Sequence, residues 1–181
     1  AIHDLLPILN HSSLNHDLRL VCAQLFIHIL YLAQGPDYNL NQFFHQTPEW
    51  LADHDLGQYG RAALMTAAIA DERLQHLDLD LFREMLQFGF VPDVRLRSMS
   101  LTALTSFAIR FAPSCELATA DLIMEAVLYN WNHAFRKIHR CTGPLVQAVL
   151  DLLPTDDRLQ FCLQLYRSQP ATSRSKWGTY S

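Results

Sequence analysis

Arg136, Lys137 and Arg140, joined downstream by Arg174 and Lys176, form the one constellation in this chain whose residue types and spacing suit a phosphate backbone. The first three fall within five positions, so a helix carries them at one end, and His133 and His139 stand close enough to add donors at the same edge. Basic side chains bind phosphates largely by displacing counterions, so three or four such contacts give weak, salt-sensitive affinity. The plainer reading is that these side chains are solvated and paired with Asp156 and Asp157. Charge alone does not choose between the two.

Other chemistries find less support. The sequence carries no Gly-x-Ser-x-Gly, no His-Glu-x-x-His, no phosphate-loop glycine run and no dinucleotide glycine motif. His76, Asp78 and Asp80 are the only dense set of oxygen and nitrogen ligands, and their alternation with Leu77, Leu79 and Leu81 reads as a turn feeding a helix with Asp78 near its cap. The nine histidines are scattered. His11 and His16 lack the i, i+4 spacing that places two rings on one helical face, and His139 and Cys141, two apart, diverge on a helix. Ser173, Ser175 and Thr179 lie in a polar tail with no base beside them. No catalytic residue, metal site or cofactor is assigned, and the chain is expected not to be an enzyme.

The elements that must position the basic group are helical. From Val94 to Phe111 the apolar positions Val94, Leu101, Leu104, Ala108 and Phe111 trace one helix face, with Asp93 as N-cap and Pro113 beyond the end. Leu18–Ala33 is bounded in the same way by Asp17 and Gly35-Pro36. Further helices are predicted at Ile2–Leu9, Asn41–Ala52, Gln58–Asp71, Asp78–Phe88, Thr119–Trp131, Phe135–Leu153 and Asp156–Tyr166. Gly143-Pro144 is expected to kink or split the Phe135–Leu153 helix, because proline removes a donor and clashes with the preceding turn. The basic group therefore follows a corner, where one apolar helix runs to Trp131, turns through Asn132 and His133, and restarts at Phe135.

Half of the 181 residues are apolar and only six are glycine, which predicts one α-rich domain over 1–181. The net charge of -4 argues against a fragment that grips nucleic acid over its whole surface. Residues 1–130 hold fifteen acids and seven bases, whereas residues 131–181 hold three acids and seven bases, so the C-terminal end is a modest basic pole. Cys22, Cys115, Cys141 and Cys162 form no Cys-x-x-Cys pair and read as buried reduced thiols. Apolar runs such as Leu25–Leu32 fall short of the roughly 20 residues that span a bilayer. No stretch reads as a signal peptide, and a cytoplasmic location is the expectation. Trp50 and Trp131 read as packing residues, and Trp177, amid polar neighbours, as a contact to a further structural unit.

Asp17-Leu18-Arg19 and Asp93-Val94-Arg95 each open a long helix 76 positions apart, with Asp55 midway. Half of that interval is near the roughly 40-residue period of HEAT and armadillo units, in which stacked helix pairs share one core. The expectation is an α-solenoid of such pairs, a piece of a larger one, against an irregular helical bundle in which the spacing is coincidence.

Trp131-Asn132-His133-Ala134-Phe135, followed by Ile138, Thr142, Leu145, Val149 and Leu150, resembles a segment of the thyroid-adenoma-associated (THADA) family. In that segment a Trp-acid-His-Pro turn leads into a helix ending in a bulky apolar pair. Ser175-Lys176-Trp177-Gly178-Thr179-Tyr180 looks like the start of that family's following helix, and Pro48-Glu49-Trp50 is an upstream echo. The chain departs from the pattern at Ala134, at Gly143-Pro144 and at His139-Arg140-Cys141, and it lacks the Arg-Arg-Ser-Ala-Gly-Leu-Pro signature. The resemblance implies a fragment from the N-terminal half of a HEAT/armadillo-like adaptor. Such a protein catalyses nothing itself but supports an FtsJ-type methyltransferase in 2′-O-ribose methylation of the tRNA anticodon loop. The partner enzyme would hold S-adenosylmethionine, and this chain would supply shape and phosphate contacts at Arg136, Lys137 and Arg140. The rival is a HEAT/armadillo scaffold that binds protein alone.

Overall fold

The fold is described from a computed structural model, which describes residues 4, 6–11, 13–46, 57–114 and 117–169. Among these residues the regular elements are all helical, as the periodicity requires. They are α1 (Leu6–Asn10), α2 (His16–Gln34), α3 (residues 40–46), α4 (Gln58–Ala70), α5 (Leu79–Phe88), α6 (Val94–Arg110), α7 (Leu117–Trp131), α8 (Arg136–Leu152) and α9 (Thr155–Ser168). A 3-10 turn, Ala112–Ser114, joins α6 to α7.

Local chemistry sets the ends. The Asp93 carboxylate accepts from the backbone N–H groups of Arg95 and Leu96 and so caps α6. At α2 the cap is Asn15 rather than Asp17: its side chain accepts from the Asp17 N–H at 2.8 Å, and Asp17 moves into the first turn, where its charge is favoured by the positive end of the helix dipole. Gly35 ends α2 with φ 103, a left-handed value that a side chain would strain, and sends its N–H back to Tyr31 O. The segments expected before Leu6 and after residue 46, Trp50 and Asp55 included, lie outside the described residues.

The even helices form a row, with α2 against α4, α4 against α6 and α6 against α8. They begin at residues 16, 58, 94 and 136, in steps of 42, 36 and 42. On one side of this row α5 packs on α6 and α7, α7 on α8 and α9. The helices α3, α5, α7 and α9 begin at 40, 79, 117 and 155, in steps of 39, 38 and 38. One apolar cluster runs from Leu6 in α1 to Leu165 in α9.

The helix α4 is the hub. It touches α1, α2, α5 and α6, and every residue from Gly60 to Ile69 is buried, so it shows no polar face. Its small residues Gly60, Ala62, Ala63, Ala67 and Ala68 let the neighbours close in on all sides. The helix α6 is likewise buried without a break from Leu96 to Leu101, beyond the single face that its apolar spacing defines.

Three expectations are corrected. Gly143-Pro144 does not split α8, which runs unbroken from Arg136 to Leu152 with Pro144 inside it. Both residues are exposed, as is Arg140, so the carbonyl that loses its partner four residues before the proline sits on the wet side of the helix. Cys162 is exposed rather than buried, because α9 buries only Phe161 and Leu165 and turns its remaining surface to solvent; Cys22 and Cys141 are half-buried free thiols. Cys115 lies outside the described residues. By length and composition α2 is apolar enough to cross a membrane, which single apolar runs did not reveal. The cause is that it is apolar on two faces, one against the core and one, with Leu18, Val21, Leu25 and Leu32, exposed.

Candidate functional site

The α7–α8 corner is built by short-range bonds. The His133 N–H donates to Asn130 O at 3.2 Å, and the Phe135 N–H donates to His133 Nδ1 at 3.1 Å. The ring of His133 stacks on that of Phe135 with centroids 5.3 Å apart. Asn132 Nδ2 donates to Ser168 O at 2.6 Å and so ties the turn to the end of α9. Behind the turn Ile138, Thr142, Leu145 and Val149 form the buried face of α8, and Trp131 packs against the core.

The basic residues open α8. Its first turn carries Arg136 and Lys137 and no acid, and its N-cap, Phe135, offers no side-chain acceptor. Cations at a positive helix end work against the macrodipole, so nothing in local helix stability calls for them. Arg136, His139 and Arg140 share the solvent face. Lys137 parts from them: it is half-buried on the side of Cys141, close enough to α2 that its charge, after burial, helps lower the pKa of His16. Among the described residues no ion pair reaches Arg136, Lys137 or Arg140, and Asp156 and Asp157 do not pair with them. Arg174 and Lys176 lie outside the described residues.

Sequence reasoning missed a second set of cations. Arg19, Arg61 and Arg97 are each the fourth residue of α2, α4 and α6, and they are only 1%, 8% and 4% exposed. Arginine is rarely buried unless paired. Arg19 donates to Leu9 O at 2.5 Å, His11 O at 2.8 Å and Leu14 O at 3.3 Å, gathering the carbonyls at and after the end of α1. Its guanidinium also lies 5.1 Å from the centre of the Tyr59 ring. Arg61 donates to Phe44 O at 2.9 Å in α3 and grips Glu84 of α5 with two prongs, at 2.5 and 2.8 Å. Arg97 differs. It lies 4.9 Å from the centre of the Tyr129 ring, and its Nε finds no hydrogen-bond partner among the described residues. The signal that could have found this set is an arginine recurring in step with the helix starts.

Two further clusters join rungs of the fold. Tyr59 OH donates to the Asp93 carboxylate and accepts from Arg95 at 2.7 Å, which locks the start of α4 to the start of α6. Burial alone would raise the Asp93 pKa, but the hydrogen bonds from Tyr59, Arg95 and Leu96 outweigh it and hold the carboxyl at about 2. Asp78, at the N-cap of α5, stands between His45 Nε2 at 2.8 Å and His76 Nε2 at 3.4 Å, while Asn41 bonds both His76 O and Asp78 N. Asp80 turns away to Arg83. This arrangement bears out the turn-and-cap reading of His76, Asp78 and Asp80, and among the described residues no group of side chains is set to hold a metal ion.

Two apolar stripes face solvent at the ends of the helix rows. Leu18, Val21, Leu25 and Leu32 lie along α2, and Leu159, Leu163 and Tyr166 along α9. A cleft of about 470 Å³ runs beside the α2 stripe, lined by Val21, Leu25, His28, Ala67 and Ala70. The chain matches no family model, no curated protein and no solved structure.

Proposed function

We propose that this chain is a non-catalytic α-solenoid scaffold of HEAT/armadillo-like helix pairs. In its most specific form it belongs to an adaptor that supports an FtsJ-type methyltransferase in 2′-O-ribose methylation of the tRNA anticodon loop. The observation that carries the scaffold reading is the recurrence of helix starts, one series stepping by 36 to 42 residues and the other by 38 or 39. The apolar stripes on α2 and α9 support a protein partner. The finer assignment rests on the resemblance at Trp131–Leu150, and the buried series Ile138, Thr142, Leu145 and Val149 is in keeping with it.

In this reading Arg136 and Arg140 meet RNA phosphate from the solvent face of α8, with Lys137 set back and Arg174 and Lys176 further along the chain. The second reading, a scaffold for protein alone, is favoured by the excess of acids over bases in residues 1–130. The protein containing this chain, mixed with an FtsJ-type methyltransferase, is expected to raise 2′-O-methylation of a tRNA anticodon loop. The Arg136→Glu, Arg140→Glu variant should lower tRNA retention and flatten its loss with salt. Retention indifferent to those charges and to salt would leave the protein-only scaffold.

A further inference from the structure

We infer that the corner where α6 meets the α7–α8 turn is an oxyanion site, in which Arg97 and His133 take one backbone phosphate of an RNA strand. The inference rests on the reading above for the source of the phosphate, and it adds a buried ligand that the surface cations do not include.

The case begins with the three arginines at one helix position. Two are satisfied within the fold, Arg19 by three carbonyls and Arg61 by a carbonyl and a carboxylate. Arg97 has the same burial, 4% exposed, but its Nε lacks a partner and no ion pair reaches it among the described residues. A buried cation without an anion is unfavourable in itself, so an anion that arrives gains what the fold withholds. The planar guanidinium fork matches two oxygens of a phosphate, which a lysine cannot do.

His133 supplies the second donor. Its Nδ1 accepts the Phe135 N–H, so in the neutral ring the proton sits on Nε2, which is left to donate outward. Tyr129, whose ring centre lies 4.9 Å from the Arg97 guanidinium, precedes His133 by four residues at the end of α7, which brings both donors to one corner; after burial, the charge of Arg97 helps lower the pKa of the ring. The groups that open α8, Arg136, Lys137, His139 and Arg140, add positive charge and no acid.

A nucleic-acid strand fits better than a single phosphorylated side chain because the cations come with aromatic faces. Tyr129, which lies against Arg97, is 54% exposed, and Phe135, which stacks on His133, is 58% exposed. Exposed rings beside a line of cations are the surface on which unpaired bases stack while the backbone is held.

The test follows the His133 ring by NMR in the whole chain during separate titrations with inorganic phosphate, a single-stranded ribo-oligonucleotide and a phosphoserine peptide. The oligonucleotide is expected to shift the His133 signals at the lowest concentration, with inorganic phosphate shifting them in the same direction at far higher concentration. Arg97→Met should weaken oligonucleotide binding roughly tenfold and reduce the salt slope by about one. Arg97→Lys keeps the charge and the stem, so it tests the fork even if the methionine variant fails to fold; a roughly fivefold loss is expected for it. Wild-type affinity in the lysine variant, with His133 unmoved by the oligonucleotide, overturns the site while leaving the scaffold and its surface RNA contacts intact. A wild-type chain that ignores the oligonucleotide but answers to the phosphopeptide overturns RNA as the source, and with it the tRNA part of the proposed function.

Discussion

The first two rungs of the even row and the third start alike and end differently. Arg19 and Arg61 spend their guanidinium groups on the carbonyls and carboxylate of neighbouring helices, whereas Arg97, at the same helix position, lies under Tyr129 with its Nε unanswered. The difference teaches that position in a repeat fixes where a side chain goes, while the connecting segment fixes what it finds there. Ahead of α2 the chain offers the carbonyls of Leu9, His11 and Leu14 to Arg19, and ahead of α4 it offers that of Phe44 to Arg61. Ahead of α6 the connection turns at Gly89, whose carbonyl is taken by Asn130 Nδ2 at 3.0 Å.

The comparison breaks most visibly at Arg61. Replacing it with Met removes the two-pronged contact to Glu84, leaves that part-buried carboxylate and Phe44 O without their partner, and should destabilise the chain by about 2–3 kcal/mol in chemical denaturation. A loss below about 1 kcal/mol would mean the tie is not structural. Next comes Asp93, whose carboxyl is held at about 2 against an ordinary 3.8. A carboxyl with a depressed folded pKa adds stability above its unfolded value that is lost as pH falls through the folded one. Comparing the wild type with Asp93→Asn, the wild-type advantage should be up to about 2 kcal/mol near neutral pH and should disappear between about pH 4 and pH 2. A gap that is constant across that range would remove the charge from the account.

Arg97→Met is expected to fall within about 1 kcal/mol of the wild type, because it takes away a buried charge that has no anion. A loss equal to that of Arg61→Met would show that all three rungs are tied alike. The smallest effect concerns His133. Burial, then Arg97 and His139, set its pKa below the ordinary histidine value. In Arg97→Met an NMR titration should find it raised yet still below that value, since burial remains.

Much of the fold was legible because its signals are local. Asp93 and Gly35 mark helix ends through bonds that span a few residues, and the Asp17 to Asp93 interval carries the period. The corner at Asn132 and His133 falls where the apolar patterns break. What was not legible depends on partners far along the chain. Nothing near Arg61 predicts Glu84, and nothing near Asp78 predicts His45. The same cause made Pro144 look like a break: whether a proline splits a helix depends on which side is wet, and that is settled by α6 lying against α8. The basic group was read as one edge, but Lys137 is half-buried and its charge is felt at His16 at the start of α2, which no spacing in the sequence records.

The helix at the hub sets the geometry of everything mounted on it. Gly60, Ala62, Ala63, Ala67 and Ala68 carry at most one side-chain carbon each on a stretch buried from Gly60 to Ile69, so they act as spacers of minimal thickness. At the fully buried Ala62, Ala63 and Ala68 a larger side chain must displace a neighbouring helix. Because α4 packs on α1, α2, α5 and α6, a wedge there shifts several helices at once, as a shim at a hub tilts every spoke. The placing of the α2 stripe relative to α6 is therefore governed by a few small residues on the helix between them.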